Sequence, residues 1–449
     1  MTILRFAPSP TGLLHVGNAR TALVNWLFAK KHAGKFILRY DDTDTQRSKT
    51  EYANAIAQDM EWLGWHYDEV FYQSKRLPLY EKAFELLKAS GRLYACYETP
   101  QEIDFKRKRL LAIGKPPVYD RASLDLTPDQ IAEFEAQGRK PHWRFKLEHR
   151  TVSWDDMARG PLSYEGSSLS DPILVREDGS FVYTFCSVVD DVDMKITHIL
   201  RGNDHISNTA VQIQLLEALG TDSTNFSFGH FPLLLGENGE SLSKRLGSLS
   251  LQELRSQGLE PMAISSYLAH LGTRDEITPE LCLDSLISGF DASAFSANTP
   301  KFSPTDLARL SAKVLHKMPF SQAQARLKDL GLASIHEEFW NMARENISTL
   351  EEVKDLWRIC FESISPEKRP EDAEYLTHAL ESLPSEPWDE NTWSLWTSIL
   401  KEKTARTGRA LFLPLRWALT NQDHGPEMKK ILPYMGRERV IARLKGERA

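Results

Sequence analysis

The sequence predicts an α/β protein built on a doubly wound parallel sheet, split by an α+β insertion and followed by an all-α domain. Short apolar runs alternate with helical patterns over residues 1–92 and again over residues 171–235, as in βαβ units. The stretch between them, residues 93–170, is polar and contains alternating segments that favour short strands. Beyond residue 250 the apolar residues recur with helical spacing nearly to the end.

These patterns divide the 449 residues into five predicted segments. We expect the two halves of a Rossmann-type sheet, the insertion between them, a helical connector and a C-terminal helical domain. In chain order the segments are residues 1–92 (first half), 93–170 (insertion), 171–235 (second half), 236–318 (connector) and 319–449 (helical domain).

Composition narrows the class of protein. The four cysteines, which form no CxxC pair, are typical of a reduced, cytoplasmic protein; they are Cys96, Cys186, Cys282 and Cys360. No apolar run reaches the length of a membrane span, about 18 residues, and the first residues lack the pattern of a signal peptide. The net charge of −7 argues against a general nucleic-acid coat but leaves local basic patches as RNA contacts.

Residues 3–22 are the most informative stretch. An apolar run is broken by two prolines and a glycine and is followed by an Ala/Leu/Trp-rich pattern, which predicts strand, tight turn and helix. The start of that helix offers backbone N–H groups and the positive end of the helix dipole, and therefore predicts a phosphate site. The polar residues and glycine at this point are Thr11, His15, Gly17 and Asn18. The alternative is a loop with an incidental histidine.

Later elements extend the predicted sheet. A second strand ends in Asp41, at the carboxyl edge where doubly wound sheets bind ligands. Further strands are predicted at residues 181–185, at residues 196–202 ending near Arg201, and at residues 231–235. One long helix is expected over residues 250–272.

A glycine-flanked loop follows the last predicted strand. It contains Ser241, Ser243, Lys244 and Arg245. A mobile loop with a lysine can close a cation over a triphosphate while charge develops on the departing pyrophosphate. Its position, about 220 residues after the first motif, strengthens both interpretations.

Two motifs together resemble those of one enzyme family. Residues 7–18 contain Ala-Pro-Ser-Pro-Thr-Gly-x-x-His-x-Gly-Asn, which resembles the first motif of class I aminoacyl-tRNA synthetases in its glutamyl form. Residues 241–245 resemble the Lys-Leu-Ser-Lys-Arg loop of that form, with Ser241 in place of the first lysine. With further segments near Asp190, Arg201 and Arg409, the resemblance to bacterial glutamyl-tRNA synthetases covers essentially the whole chain.

The resemblance implies a reaction and its substrates. Members of this family attach glutamate to the 3′ end of tRNA through glutamyl-adenylate, use ATP with Mg²⁺, and need bound tRNA before the first step. It also implies a C-terminal domain that binds the anticodon. The expected partners are therefore tRNA, L-glutamate and ATP, with no membrane partner, and the expected state is a cytoplasmic monomer.

Site residues follow from the same resemblance. His15 and Lys244 are the expected catalytic residues. The expected ATP-binding residues are Thr11, His15, Gly17, Asn18, Leu235, Ser243 and Lys244. The expected glutamate-binding residues are Arg5, Ala7, Ser9, Asp41, Tyr183, Ser187 and Arg201. Two arginines and one carboxylate suit a dicarboxylate with one ammonium group.

The chain also departs from the family. Asp41 stands where a glutamate is usual, Ser187 where an asparagine is common, and Asn203 where a glutamate is frequent. Some members bind zinc in the insertion through Cys-x-Cys and a later Cys-x-His, but here only Cys96 is kept. We therefore expect no zinc and no other protein-bound metal.

Several alternatives stay open. The basic run at residues 106–109 is a solvated helix face or a phosphate contact, whereas for the basic residues after residue 429 a solvated face is favoured. A relative that glutamylates a tRNA base lacks the C-terminal helices, and an inactive RNA-binding paralogue would explain Ser241. The sequence does not decide whether glutamate tRNA, glutamine tRNA or both are charged; the joint drift of residues 41, 187 and 203 favours a single tRNA, with Arg344 or Asn346 as the determinant.

Overall fold

The computed structural model of the chain describes residues 1–240, 242, 249–367 and 369–449. These residues form two compact units. The first unit comprises Met1–Gln257 and Pro261–Leu307, and the second comprises Gly258–Glu260 and Ala308–Ala449. The five-segment division drawn from the sequence stays a prediction.

The first unit begins with three parallel strands and three helices. In chain order these are β1 (Ile3–Phe6), α1 (Val16–Lys31), β2 (Lys35–Tyr40), α2 (Thr50–Trp62), β3 (Glu69–Tyr72) and α3 (Leu77–Ala89). β2 lies between β1 and β3 and pairs with both in parallel. Its apolar residues are buried, as expected for a parallel strand covered on both faces.

The next segment contains two small antiparallel arrangements. Its elements are β4 (Leu93–Cys96), α4 (Pro100–Ala112), α5 (Pro128–Ala136), β5 (His142–Phe145), β6 (Thr151–Asp156), β7 (Gly160–Glu165) and β8 (Ile173–Val175). β4, β5 and β8 form one sheet, and β6 and β7 form a hairpin. The hairpin does not stand apart from the main sheet, because Asp156 of β6 is paired in parallel with Phe228.

The second half of the main sheet follows. Its elements are α6 (Tyr183–Asp193), β9 (His198–Gly202), α7 (Ile206–Ala218) and β10 (Ser227–Phe231). β9 pairs in parallel with β10, and the backbone N–H of Thr197 donates to the carbonyl oxygen of Ile3 at 2.9 Å, which places β9 beside β1. The order is therefore β3-β2-β1-β9-β10, which confirms the doubly wound parallel sheet and puts its switch point between β1 and β9.

The strand predicted over residues 181–185 is wrong. α6 begins at Tyr183, and its buried residues Phe185, Val188 and Val189 have the spacing of one helix face. Burying this face in the core of the unit outweighs the β-propensity of valine and phenylalanine.

Two other predicted elements have different bounds. The last strand ends at Phe231 because Pro232, the next residue, has no N–H to donate. The helix expected over residues 250–272 is two helices, α8 (Leu251–Ser256) and α9 (Pro261–His270). Gly258 separates them with a φ of 76°, a left-handed conformation that ends a helix.

The remaining described elements are helices, as the 3.6-residue pattern predicts. They are α10 (Leu283–Gly289), α11 (Pro304–Lys317), α12 (Phe320–Asp329), α13 (Glu337–Arg344), α14 (Val353–Phe361), α15 (Ala373–Glu381), α16 (Thr392–Thr404), α17 (Arg409–Thr420), α18 (Met428–Met435) and α19 (Arg437–Leu444). Trp340, Trp393 and Trp396 are buried in the second unit, where they serve as core. No described helix combines the length and the apolar character that crossing a bilayer requires.

Arg443 of α19 is a buried tie of the second unit and does not belong to a solvated basic face. Its guanidinium donates to the carbonyl oxygens of Ile359 at 2.6 Å, Leu419 at 2.8 Å and Glu362 at 2.9 Å. These oxygens belong to the ends of α14 and α17, whose last carbonyls have no partner within their own helices. Burial lowers the pKa of Arg443 to about 10, which still leaves it charged at neutral pH.

We predict that Arg443→Leu lowers the free energy of unfolding of the second unit by about 3 kcal/mol, because several buried carbonyl oxygens lose a charged donor. Lys445→Leu is the matched control: it removes the same charge from an exposed side chain one turn end away. Urea unfolding followed by tryptophan fluorescence measures the change. Equal midpoints for the two variants would contradict the buried-tie interpretation.

Candidate active site

A cavity of about 640 Å³ lies at the carboxyl ends of β1 and β9, the switch point of the sheet. Four segments line it: the end of β1 with the loop into α1, the first residue of α6, the end of β9 with the turn after it, and the loop after β10. The lining residues used below are Arg5, Ala7, Ser9, Thr11, His15, Gly17, Asn18, Tyr183, Arg201, Leu234 and Leu242.

His15 is the N-cap of α1. Its backbone is extended, and Nδ1 accepts hydrogen bonds from the N–H groups of Gly17 at 3.2 Å and Asn18 at 3.4 Å. The N–H of Val16 donates to Leu249, and that of Ala19 donates to the carbonyl oxygen of His15. The expectation that free backbone N–H groups form the phosphate site is therefore wrong for these four positions.

The donors at this site are side chains. Because Nδ1 of His15 accepts, the proton of the neutral imidazole lies on Nε2, and burial lowers the pKa of His15 and so favours that neutral form. Gly17 makes room for the ring: a Cβ added there would lie 3.1 Å from Cε1 of His15. Gly17 thus acts through His15, and Nε2–H is left as a donor for a ligand.

Arg5 and Asp41 belong to a buried charge network. Arg5 donates to Asp191 through Nε at 3.0 Å and Nη2 at 3.1 Å. Arg39 donates to Asp41 at 2.7 and 3.2 Å and to Asp191 at 2.8 Å. Burial raises the pKa of Asp41 to about 6 against the opposing effect of Arg39, whereas Arg5 and Arg39 outweigh burial and lower the pKa of Asp191. Both predicted pocket groups therefore already have a partner of opposite charge.

Two residues expected in the glutamate pocket lie behind its wall. The carboxylate of Asp41 points to Arg39, and Ser187 of α6 is fully buried, where it accepts from Gln212 at 3.2 Å. Neither is among the residues that line the cavity. Their roles toward a ligand stay predictions.

Arg201 differs from Arg5 because it has no carboxylate partner among the described residues. Its Nε donates to Nε2 of His230 at 3.2 Å and its Nη2 to the hydroxyl of Thr209 at 2.6 Å. Nη1 is buried without a hydrogen-bond partner. Burial lowers the pKa of Arg201, and an unsatisfied buried charged donor is costly, so this nitrogen calls for an anionic ligand.

The second motif is only partly described. Ser241, Ser243, Lys244 and Arg245 lie outside the described residues. Leu242 is buried and lines the cavity, and Leu249 is hydrogen-bonded to Val16 beside the start of α1. The loop therefore begins and ends at this site.

Leu235 lies beyond the cavity lining, which ends at Leu234 on this segment. Its N–H donates to Pro300 at 3.0 Å, and its carbonyl oxygen accepts from Phe302 at 2.8 Å. Both backbone groups are thus used within the unit, and a role in binding ATP stays a prediction.

The segment after β3 holds a cluster that sequence reasoning missed. Ligand atoms of Cys96, Glu98 and His142 lie within 4.8 Å of one another, because β4 and β5 pair Cys96 with His142. Nε2 of His142 has no hydrogen-bond partner, but the carboxylate of Glu98 accepts from Tyr119 at 2.7 Å and from Ser123 at 2.8 Å. Three groups, one of them already hydrogen-bonded, fall short of a four-ligand structural zinc site.

Comparison with known proteins covers the chain from end to end. The family model described as "tRNA synthetases class I (E and Q), catalytic domain" matches residues 2–309, and the one described as "Anticodon binding domain" matches residues 307–447. The chain is 51% identical over 445 residues to a glutamate–tRNA ligase of Azospirillum brasilense, with 99% of both chains covered. It is 49% identical over 443 residues to glutamate–tRNA ligase 2 of Gluconobacter oxydans, with 98% of both covered.

Solved structures give a matching result. A crystal structure of a glutamate tRNA ligase from Elizabethkingia meningosepticum, in complex with its amino acid, superposes with a TM-score of 0.81 and 26% identity. The match covers 99% of this chain and 98% of that one. A glutamate–tRNA synthetase from Elizabethkingia anophelis gives a TM-score of 0.80.

We predict that the purified protein holds well under one zinc per chain and keeps its activity after chelation once Mg²⁺ is restored. Burial raises the pKa of the Cys96 thiol and disfavours the thiolate that zinc needs, and Glu98 is held by hydrogen bonds. Elemental analysis of the wild type and of Cys96→Ser measures the zinc content. One zinc in the wild type that disappears in Cys96→Ser would contradict the prediction.

Proposed function

This chain belongs to the class I tRNA synthetases of the E and Q type, and we propose on that basis that it attaches L-glutamate to the 3′ end of tRNA. In the first step a carboxylate oxygen of glutamate attacks the α-phosphate of ATP, which gives glutamyl-adenylate and pyrophosphate. In the second step a ribose hydroxyl of the tRNA attacks the adenylate carbonyl and releases AMP. One observation supports this most directly: a single cavity is lined both by the donors of His15 and Thr11 and by the unpaired Arg201.

Arg201 is the proposed anchor for a carboxylate of glutamate. Its Nη1 is buried and unpartnered, and a carboxylate would supply the missing acceptor and the missing charge. Glutamine would leave the guanidinium without an opposite charge in a buried site, so it should be rejected. Arg5, Ala7, Ser9 and Tyr183, which line the same cavity, are proposed to complete the pocket.

Asp41 and Ser187 are proposed to support this pocket from behind its wall. Asp41 keeps Arg39 in place, and Arg39 shares Asp191 with Arg5. The shorter carboxylate of Asp41 contacts the substrate ammonium only if it turns away from Arg39. Their first role is therefore to fix the orientation of Arg5.

The phosphates of ATP are proposed to bind near the start of α1. Nε2–H of His15 and the hydroxyl of Thr11 are the donors, and Gly17 and Asn18 hold the imidazole in place. Ser243 and Lys244 are proposed to close over the phosphates, supported by Leu242 and Leu249 at either end of their loop. Mg²⁺ would arrive with ATP and neutralise phosphate charge; no protein ligand is assigned to it.

The proposed partner is tRNA, with its anticodon on the helices matched at residues 307–447. These helices argue against a relative that glutamylates a tRNA base, since such proteins lack them. A cytoplasmic location and a monomeric state are part of the proposal. Which tRNA is charged is open: Arg344 donates to the carbonyl oxygen of Met318 at 2.8 Å and Asn346 to that of Met342 at 2.9 Å, so both candidates already have protein partners.

Aminoacylation of purified glutamate and glutamine tRNAs with labelled glutamate tests the function. We expect charging of at least one tRNA, dependent on ATP and absent with glutamine as the amino acid. A kcat/KM that differs at least about tenfold between the two tRNAs, or about 1.4 kcal/mol, would support a specialised enzyme, and comparable values would overturn that preference. Absence of charging and of ATP–pyrophosphate exchange with every tRNA would favour an inactive RNA-binding paralogue.

We predict that Lys244→Ala lowers kcat for adenylate formation by a factor on the order of 10²–10³, because one charge contact in the transition state is lost. The KM for glutamate should change much less. ATP–pyrophosphate exchange in the presence of tRNA measures both constants. Arg245→Ala is the comparison: an unchanged kcat in Lys244→Ala with a fall in Arg245→Ala would assign the role to Arg245.

A further inference from the structure

Three buried side chains form a hydrogen-bonded line behind the cavity. Asp156, His230 and Arg201 lie on β6, β10 and β9, where the register sets His230 beside Arg201 and Asp156 beside Phe228. Oδ2 of Asp156 lies 2.5 Å from Nδ1 of His230, and Nε2 of His230 lies 3.2 Å from Nε of Arg201. None of the three is more than 5% exposed, so solvent does not screen the line.

The carboxylate of Asp156 decides which nitrogen of His230 carries the proton. Its Oδ1 accepts three backbone N–H groups, those of His230 at 3.0 Å and of Ala158 and Arg159 at 3.1 Å. These bonds fix the orientation of the carboxylate and, together with the His230 side chain, outweigh burial and lower the pKa of Asp156. Oδ2 can only accept, so the proton lies on Nδ1 of His230 and leaves Nε2 as an acceptor.

A fixed acceptor at Nε2 of His230 fixes Arg201. The guanidinium is planar, and its Nε and Nη2 are held by His230 and by Thr209. Two fixed nitrogens determine the position of the third, Nη1, which is the one without a partner. The line from Asp156 therefore ends at the donor that the cavity offers to an anion.

We propose that Asp156 and His230 are positioning residues that hold Arg201 in the orientation needed to bind a carboxylate of glutamate. This inference rests on the proposed function, and it adds two residues that belong to no motif of the sequence. Pre-positioning matters because a free arginine side chain would have to lose its rotamer freedom when the ligand binds. Asp156 lies in the segment predicted as the insertion, so that segment would take part in amino-acid binding.

Asp156→Asn is the decisive variant because it preserves shape. Its Oδ1 can keep the three backbone hydrogen bonds, while Nδ2 takes the place of Oδ2 and donates to Nδ1 of His230. The proton of the ring then moves to Nε2, where it meets the Nε–H of Arg201, and two donors cannot bond to each other. We expect the KM for glutamate to rise roughly ten- to hundredfold, while the KM values for ATP and tRNA stay within about twofold.

Three further variants separate positioning from packing. His230→Leu removes the acceptor and should raise the KM for glutamate as Asp156→Asn does, whereas His230→Gln, whose amide oxygen can accept from Arg201, should restore most of the affinity. Asp222→Asn is the matched control: Asp222 caps the turn before β10 through Thr224 at 2.9 Å and is exposed. It should leave all three KM values unchanged.

The outcomes also separate this inference from the proposed function. Arg201→Leu serves as the reference: if it does not raise the KM for glutamate, the pocket assignment of the proposed function is wrong. If Arg201→Leu raises that KM and Asp156→Asn does not, the positioning inference is wrong. An equal rise of all three KM values in Asp156→Asn, with a lower melting temperature, would show a purely structural role and would also overturn it.

Discussion

The buried charge network around Asp191 is the constraint on which the rest of the first unit depends. Asp191 of α6 accepts from Arg5 of β1 and from Arg39 of β2, and thereby joins the two halves of the sheet across a long intervening segment. Next to it, Asp190 accepts from Arg76 at 2.7 Å and from Tyr80. Removing one member of such a network leaves an uncompensated buried charge, at a cost of roughly 3–5 kcal/mol.

This network also determines which charges the cavity offers. Arg5 lines the cavity but is neutralised by Asp191, so its guanidinium is oriented rather than free. Arg201 lines the same cavity and bonds only to neutral groups, namely His230, Thr209 and a backbone carbonyl. The positive potential available to an anion is therefore concentrated at Arg201. One arginine holds the sheet together, and the other is reserved for a ligand.

Similar economy governs the start of α1. A helix N-terminus usually offers its first N–H groups to an anion, but here His15 accepts from two of them. The imidazole passes the hydrogen-bonding capacity on to Nε2, which a neutral ring presents as a donor. Gly17 permits this arrangement because any Cβ there would press against the ring. The histidine and the glycine of the motif are thus one device: the first is the cap and the second is the space it needs.

The sequence by itself determined the fold class, the two motifs and the helical second unit, because hydrophobic periodicity, proline and glycine positions and helix-start residues are local signals. It placed Arg5, Ser9, His15, Tyr183 and Arg201 correctly around one ligand-sized cavity, although it assigned a strand to the residues that begin α6. Tertiary structure alone decided the partners of these residues. Asp191, His230 and Asp156 lie 186, 29 and 74 residues along the chain from the groups they hold, and only the strand order brings them together. A local pattern shows that a residue is charged and where its strand ends, but whether that charge is already paired depends on non-local packing.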